Sequence, residues 1–407
     1  MISNIKIVDT KYKAKKLAKA ICNLIEEYAY QQDEFKAVHA PINFGENASH
    51  YILNCLKTTW VSSGGNYVNE FAEKLSEYTG SPYVIPVSSG TAALKLALLA
   101  VGIEKGSEVL VPSFTFVASA NAVAHVNAYP NFIDIESKTF GIDSLKLKNY
   151  LEKNTKLQNK FTVNIRTGKR ISALIAVHIF GNSCDIRSIL EICKKYNIKL
   201  IEDCAGALGT FASNNQKKIH LGRFGDVGCL SFNGNKILTT GGGGAIITES
   251  YEIYEKALNL STTARVPHEY EIEHNEIGWN DRMPNLNAAI GLSQLENFGE
   301  TLKRKEKIYS LYKKNLNENI FCKFAFHDQF CKSNYWLNSL IIDEDLNINE
   351  FKKILYNELI ENKIQIRSGW KPLNLLKMYK SNPSDNCSTA HLLANKIINL
   401  PSNFLLN

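Results

Sequence analysis

The sequence predicts an α/β protein whose main domain is a mostly parallel sheet covered by helices. From residue 82 onwards, short apolar strands alternate with amphipathic helices joined by short loops, which is the pattern of a parallel sheet. Several strand ends carry Ser, Asp, His or Lys. Because ligands bind beyond the carboxyl ends of the strands in such sheets, we expect the functional residues at this edge.

The elements follow in chain order. An apolar stripe predicts a helix over residues 12–30, and two more helices, at about 49–58 and 67–79, precede the alternating region. Strands are predicted at 83–87, 108–111, 131–135, 173–177, 199–202, 227–232 and 245–248, with a polar insertion near 154–170. One long helix is predicted over 285–316, followed by strands at 336–341 and 364–367 and helices at 349–362 and 391–395.

This order divides the chain into three parts. Residues 1–36 are predicted to form an N-terminal helical extension, and residues 37–300 the large domain. Residues 301–407 mix strands with helices and lack a glycine-rich ligand loop. We therefore predict a smaller C-terminal α+β domain that covers one side of the cleft.

Composition narrows the classes of function. The chain has 407 residues, of which 44% are hydrophobic and 21% charged, as in ordinary globular proteins. Its net charge of +7 is spread along the sequence, without the interleaved basic and aromatic residues that favour nucleic-acid binding. The longest apolar stretch, residues 84–103, is interrupted by polar residues, so we expect no membrane span.

The nine cysteines are scattered and form no Cys-x-x-Cys pair. Most lie in apolar runs, where a thiol behaves as a small buried hydrophobe. We therefore predict no metal site, and we expect the reducing cytoplasm as the location.

A single lysine, Lys236, is the residue on which the chemistry is expected to depend. It follows an apolar strand at 227–232 and the turn at 233–235, and four glycines at 241–244 come after it. A lysine just beyond a strand end can point into a cleft, and a site can lower its pKa so that the neutral amine is available for a Schiff base. In this interpretation Ser231 is a phosphate ligand beside it. The alternative is a surface lysine in a hairpin turn.

Other segments supply what such a lysine needs. Ser89, Gly90 and Thr91 open a helix directly after a strand, where free amides and the helix dipole favour a phosphate. Asp203 ends another strand and is suited to pair with a protonated pyridine nitrogen. Phe116 is suited to stack on a flat ring. Taken singly, each has a structural alternative, namely a cap for the first two and a core position for Phe116.

Taken together, these groups follow one another in the chain. The helix start at Ser89, Gly90 and Thr91, which we call the cradle, comes first, followed by the aromatic ring, the acid and the lysine. This is the equipment of a pyridoxal 5'-phosphate enzyme with the type I, aspartate-aminotransferase-like fold.

From about residue 37 to its end, the chain resembles the DegT family of sugar-nucleotide aminotransferases. The matching segments, in family order, are 88–94, 112–116, 177–182, 202–203, 231–236, 241–244 and 278–286. The resemblance implies that Lys236 bonds to the cofactor and that Gly90, Thr91 and Ser231, with Ser89, hold its phosphate. It implies further that Asp203 faces the pyridine nitrogen and that Phe116 stacks on the ring.

The resemblance also implies a homodimer with shared active sites. An asparagine of the neighbouring subunit reaches the phosphate in this family, which places that role on Asn280. Contacts to the substrate are predicted for Ser63, His178 and Arg282.

A finer resemblance is to the branch that makes 4-amino-4,6-dideoxy-N-acetylhexosamines for legionaminic acid and bacillosamine. Segments 60–64, 231–237, 265–270 and 333–336 look like that branch. It implies transfer of an amino group from glutamate to C4 of a nucleotide-linked 4-keto-6-deoxy sugar, with UDP or GDP left open as the carrier.

The sequence departs from the family in two places. Gly206 stands three residues after the acid, where many members have His, Gln or Glu, so a contact near the cofactor ring is expected to be lost or replaced by water. The family pattern Tyr-Asn-Tyr-Arg is here Trp279-Asn280-Asp281-Arg282.

Two alternatives share this fold. In sugar dehydratases a histidine replaces the lysine, so the presence of Lys236 argues against that activity. A non-catalytic sensor would be favoured by loss of the lysine, the acid or the cradle, and all three are present.

Overall fold

The computed structural model of the chain describes residues 2–28, 39, 43–214, 217–316, 322–325, 331–343 and 346–403, with the backbone alone described for 2–8 and 214. The helices are Ile2–Tyr28 (α1), Ala48–Thr58 (α2), Tyr67–Thr79 (α3), Gly90–Ala100 (α4), Ala118–His125 (α5), Ser144–Asn154 (α6), Ile186–Lys195 (α7), Tyr251–Ser261 (α8), Asn285–Glu296 (α9), Phe298–Leu316 (α10), Ile348–Glu361 (α11) and Ser388–Ala394 (α12). The strands are Tyr83–Val87 (β1), Glu108–Pro112 (β2), Tyr129–Ile133 (β3), Thr155–Gln158 (β4), Phe161–Asn164 (β5), Ile171–Val177 (β6), Lys199–Asp203 (β7), Phe211–Asn214 (β8), Lys217–His220 (β9), Val227–Ser231 (β10), Gly244–Thr248 (β11), Arg265–Val266 (β12), Glu273–His274 (β13), Cys322–Phe324 (β14), Cys331–Lys332 (β15), Asn338–Ile342 (β16), Arg367–Ser368 (β17) and Ile397–Leu400 (β18).

A seven-stranded sheet in the order β1-β11-β10-β7-β6-β2-β3 forms the centre of the large domain. The pairs from β10 to β3 are parallel, and β11 runs antiparallel to both of its neighbours. The α/β architecture with a mostly parallel sheet is thus confirmed. Every residue of β6 is buried, because the strands of such sheets are covered on both faces.

The register brings the functional strand ends to one edge. Asp203 at the end of β7 pairs with Val177 at the end of β6, and β10 ends beside them at Ser231. Ser231 also pairs with Gly244, the first residue of β11, which pairs in turn with Val87 at the end of β1. The turn from β1 into α4 therefore lies next to Ser231.

A second core joins the two ends of the chain. A four-stranded antiparallel sheet, β14-β16-β18-β17, packs with α1, α10 and α11. Leu17 and Ile21 of α1 are buried there with Tyr312 and Phe351. The N-terminal helix thus forms part of the same core as the C-terminal sheet.

The predicted boundary at 36/37 lies outside the described residues, and the one at 300/301 falls within α10.

Several predicted elements differ from the structure. The single helix over 285–316 is two helices, because Asn297 leaves the helical conformation and Phe298 is buried beside Tyr78. The polar insertion contains a hairpin, β4–β5, whose two turn residues have positive φ, as a tight hairpin requires. The first helix begins at Ile2, ten residues earlier than predicted.

Among the described residues, no helix combines the length and apolar character needed to cross a lipid bilayer.

Candidate active site

A cavity of about 420 Å³ lies at the carboxyl edge of the parallel strands. Eight of the predicted site residues line it: Ser89, Gly90, Thr91, Phe116, His178, Asp203, Ser231 and Lys236. They come from five separate strand ends or helix starts, and the strand register explains their proximity. The cavity also receives Trp336, Arg367, Trp370 and Asn399 from the C-terminal part of the chain.

Lys236 lies in a short turn beyond β10. Its backbone amide donates to the carbonyl of Asn233 at 2.9 Å, which closes the turn. Burial lowers the pKa of its amine to about 8; the negative charge of Asp203 opposes this shift and the positive charge of Arg367 adds to it. Lys236 is half-buried and lines the cavity, which argues against the alternative of a surface lysine in a hairpin turn. An amine with a lowered pKa is more nucleophilic near neutral pH than an ordinary lysine.

Asp203 is almost fully buried, at 4% exposure. Its Oδ2 accepts a hydrogen bond of 2.8 Å from the hydroxyl of Ser119, and its Oδ1 accepts one of 3.1 Å from the amide of Ala205. The carboxylate is therefore held in one orientation at the floor of the cavity, where it can face a protonated ring nitrogen.

The start of α4 forms an anion cradle. Ser89 is the N-cap residue, and its Oγ accepts a hydrogen bond of 3.0 Å from the amide of Ala92. The first amides of a helix have no partner within it, and Gly90 and Thr91 line the cavity. A Cβ at Gly90 would lie 2.7 Å from the Cβ of Ser231, so the helix start and this hydroxyl residue lie side by side around a phosphate-sized site.

His178 lines the cavity with its ring, but both ring nitrogens already have partners. Nε2 lies 3.0 Å from Oε2 of Glu202, and Nδ1 lies 3.4 Å from the amide of Cys184. Burial would raise the pKa of Glu202, but His178 and the amides of Gly222 and Gly225 hold it below its usual value. A contact of His178 with substrate stays a prediction, and it would use the face of the ring.

Among the described residues, one group of potential metal ligands is present, formed by His178, Glu202 and Cys204. Glu202 accepts hydrogen bonds from the amides of Gly222, Phe224 and Gly225 as well as facing His178. Its oxygens are therefore used within the protein, and the group is a buried hydrogen-bonded network.

Phe116 is 57% exposed at the cavity wall, with its ring centroid 6.3 Å from that of Trp370. It lies in the loop between β2 and α5, two residues before that helix begins at Ala118. An exposed phenyl ring that lines a cavity is available to stack on a planar ligand.

Ser63, Asn280 and Arg282 lie together in a different place, a surface cleft that also includes Arg265 and His268. Asn280 and Arg282 form isolated antiparallel bridges with Thr262 and Val87, respectively, and alternate side chains of a bridged segment lie on opposite sides. Asp281 binds Lys95 of α4 at 2.6 Å, and the same amine lies 4.5 Å from the ring of Trp279. The two residues that replace the family's tyrosines thus fix the segment to α4, and Asn280 and Arg282 point into the outer cleft.

The structure shows which group lies beside Gly206. A Cβ there would overlap with ring carbons Cε3 and Cζ3 of Trp336. An indole ring therefore takes up the space next to this glycine, and the loss of a contact to the cofactor ring stays a prediction.

Sequence reasoning did not assign roles to Ser119, Trp336, Arg367 or Trp370. Ser119 is the second residue of α5, and its hydrogen-bond partner, Asp203, is distant in sequence. Arg367 ends a predicted strand and Trp336 lies in a segment of the finer resemblance, so both carried a signal. Only their position in the fold connects them to Lys236.

A helix-start cradle, a buried carboxylate and a desolvated lysine at the carboxyl edge of this sheet define a pyridoxal-phosphate-dependent enzyme of fold type I. The sequence profile of the "DegT/DnrJ/EryC1/StrS aminotransferase family" matches residues 43–407. The chain belongs to this family, and it is an aminotransferase that uses pyridoxal 5'-phosphate.

Its relatives include a GDP-perosamine synthase of Escherichia coli O157:H7, which is 36% identical over 86% of this chain and 89% of the relative. A UDP-4-amino-4,6-dideoxy-N-acetyl-beta-L-altrosamine transaminase of Campylobacter jejuni is 30% identical over 79% of this chain and 80% of its own. A solved DegT DnrJ EryC1 StrS aminotransferase from Brucella abortus has a TM-score of 0.77 at 26% identity, covering 87% of this chain and 90% of that one.

The cavity fits pyridoxal phosphate. The cradle at Gly90 and Ser231 suits its phosphate, Asp203 its ring nitrogen, and the amine of Lys236 its aldehyde. When bound, the cofactor supplies an electron sink for the amino-bearing carbon of the substrate.

Proposed function

We propose that the enzyme transfers an amino group from glutamate to C4 of a nucleotide-linked 4-keto-6-deoxy-N-acetylhexosamine. The observation that carries this proposal is the cavity itself, which combines Lys236, Asp203 and the phosphate cradle with the guanidinium of Arg367. Lys236 is the residue that moves the proton between carbon centres in each half-reaction.

Arg367 supports an anionic amino donor. Asp203 is the only carboxylate among the described residues that line the cavity, and its oxygens accept hydrogen bonds from Ser119 and Ala205. Arg367 is half-buried, and this burial lowers the pKa of its guanidinium. A guanidinium in such a place is suited to bind a carboxylate of glutamate through two parallel hydrogen bonds.

The names of the relatives support the sugar substrate. One relative is named for a GDP-linked amino sugar and another for a UDP-linked 4-amino-4,6-dideoxy-N-acetyl sugar. Amination at C4 agrees with the second name and with the finer resemblance of segments 265–270 and 333–336. Both carriers are represented, so the proposal includes UDP and GDP. Legionaminic acid or bacillosamine synthesis is the pathway we favour for the product.

The outer cleft supports a shared active site. Ser63, Asn280 and Arg282 lie outside the Lys236 cavity of their own chain, although all three were predicted to contact cofactor or substrate. In a homodimer they would complete the cavity of the partner subunit. Asn280 is exposed and Arg282 is half-buried, and both line this cleft, so an amide donor and a cation are available there to a neighbouring subunit.

The sugar-dehydratase alternative remains disfavoured because Lys236 is present and its pKa is lowered as a nucleophilic lysine requires. No disulfide is formed by the nine cysteines, all of which lie in the described part of the chain, and this supports the proposed cytoplasmic location.

The proposal is tested by assaying UDP- and GDP-linked 4-keto-6-deoxy sugars side by side, with glutamate as donor and product analysis by NMR. We expect an amine at C4 with one of the two carriers. Amination at C3, or no turnover of either nucleotide sugar, would overturn the assignment.

Borohydride reduction of the enzyme followed by peptide mapping should place the pyridoxyl group on Lys236, and a label on another lysine would refute its role.

A further inference from the structure

Trp336 reaches the active site from the C-terminal part of the chain and contacts the turn that carries Lys236. Its ring is 4% exposed. The indole Nε1 donates a hydrogen bond of 2.9 Å to the carbonyl of Asn235, the residue before Lys236. The amine of Lys236 lies 4.1 Å from the centre of the same ring. One side chain thus binds the backbone beside the lysine and supports the lysine's amino group.

The position of this indole is fixed by the large domain. Asn334 donates two hydrogen bonds of 2.8 Å to the carbonyls of Gly206 and Leu208, and its Oδ1 accepts the amide of Trp336 at 2.9 Å. Tyr335 between them has φ of 52°, a left-handed conformation that is uncommon for a non-glycine residue. The bend turns Trp336 into the cavity, which is why β16 begins at Asn338 and not at 336 as predicted.

Gly206 provides the space that the indole of Trp336 occupies. Any side chain there would overlap with the six-membered part of the Trp336 ring. Gly206 lies three residues after Asp203, so the ring fits between the turn of the acid and the turn of the lysine. The position of the indole of Trp336 therefore depends on the absence of a side chain at residue 206.

We infer that Trp336 is a positioning residue: its ring holds the free amino group of Lys236 close to the reaction centre whenever the lysine is not bonded to the cofactor. The inference rests on the role of Lys236 proposed above. The physical basis is the attraction of an ammonium to the face of an indole, which is the strongest of the aromatic partners. The hydrogen bond to Asn235 keeps the indole ring in place when the side chain of Lys236 moves.

The expected consequence is a selective loss of rate. Without the Trp336 ring, the side chain of Lys236 samples more conformations, so proton transfer slows. The contacts of the enzyme with glutamate, the amino donor, are unchanged. Replacing the aromatic face should cost roughly three- to thirtyfold in the rate constant of the glutamate half-reaction, with the concentration of glutamate for half-saturation changed less than about threefold.

Two substitutions at Trp336 separate the effect of the aromatic face from the effect of side-chain volume. Trp336→Phe retains an aromatic face but loses the donor to Asn235, and Trp336→Leu retains apolar volume without a face. We expect the leucine variant to be the slower of the two. Equal rates in both variants, or a wild-type rate in Trp336→Leu, would overturn the inference.

A double-mutant cycle tests the pairing with Gly206. Gly206→Ala should lower the rate in the wild-type background because the methyl group displaces the indole. It should add little in the Trp336→Leu background, where the space is open. Additive losses would show that the two positions act separately.

A third measurement is independent of catalysis. In apoenzyme labelled with ¹³C at the lysine ε-carbons, the Lys236 signal is identified by its absence in Lys236→Arg. The indole ring current should shift it upfield in the wild type, and Trp336→Leu should abolish this shift. An unshifted Lys236 signal in the folded wild type contradicts the inference even if borohydride labelling confirms Lys236. A shifted signal with borohydride labelling at another lysine would instead contradict the proposed function.

Discussion

The hydroxyl of Ser119 donates a hydrogen bond of 2.8 Å to Oδ2 of Asp203. The two residues are 84 positions apart in the chain, and both are buried. The bond fixes the carboxylate that is proposed to face the pyridine nitrogen, so we expect Ser119 to affect the chemistry through the orientation of Asp203.

The first prediction compares these two residues. Asp203→Asn should leave the fold intact but slow the glutamate half-reaction by orders of magnitude, because the cofactor ring becomes a poorer electron sink. Ser119→Ala keeps the charge and loses one hydrogen bond to a charged group, so a loss of about tenfold is expected. Rates are measured from the cofactor's absorbance after mixing with glutamate. Near-normal turnover in Asp203→Asn would disprove its role.

The second prediction concerns the pH dependence of the Lys236 amine in the apoenzyme. Its pKa of about 8 leaves about half of the amine neutral at pH 8, compared with less than about 1% for an ordinary lysine. The rate of acetylation at Lys236, measured by peptide mapping between pH 6 and 10, should rise with pH and level off above about pH 8. A rate that still increases tenfold per unit at pH 9 would contradict the lowered pKa.

The third prediction tests Arg367 as the contact for the donor's carboxylate. Arg367→Ala should raise the glutamate concentration for half-saturation by about 10- to 150-fold, the range for a hydrogen-bonded charge. Arg367→Lys should restore part of the affinity. The dissociation constant of the nucleotide sugar serves as the control. If that constant changes and the glutamate constant does not, Arg367 binds the nucleotide sugar instead.

The fourth prediction is that Asn280 serves the site of the partner subunit. A Lys236→Ala chain and an Asn280→Ala chain, each weak alone, should regain activity when mixed and refolded. Random pairing gives hybrid dimers with one native site, so recovery of up to about a quarter of wild-type activity is expected. Absence of recovery despite verified subunit exchange would argue that Asn280 acts within its own chain.

The fifth prediction concerns the N-terminal helix, all of which precedes the family match that begins at residue 43. Ile21 is fully buried in the core shared with Tyr312 and Phe351. Ile21→Ala should lower the free energy of unfolding by about 2–5 kcal/mol, because a cavity is left in that core. Exposed Lys19 provides the control, since Lys19→Ala should change stability by less than about 0.5 kcal/mol. Urea unfolding measures both. Equal stabilities would mean that α1 is not part of the core in solution.

The sequence determined the sheet and the groups that follow its strands. Alternating apolar strands and helices predict a parallel sheet, and the topology of such a sheet collects strand ends at one edge. Ser89, Asp203, Ser231 and Lys236 were therefore predicted to meet, since each ends or follows a strand of this sheet, and all four line one cavity.

Only the tertiary structure decided how these groups are supported and which chemistry each can perform. Ser119 reaches Asp203, the ring nitrogens of His178 are used by Glu202 and Cys184, and Trp336 fills the space above Gly206. These contacts join segments that are distant in the chain. Local propensity and periodicity carry no information about such pairs, because the energy of each contact depends on packing that exists only once the whole chain has folded.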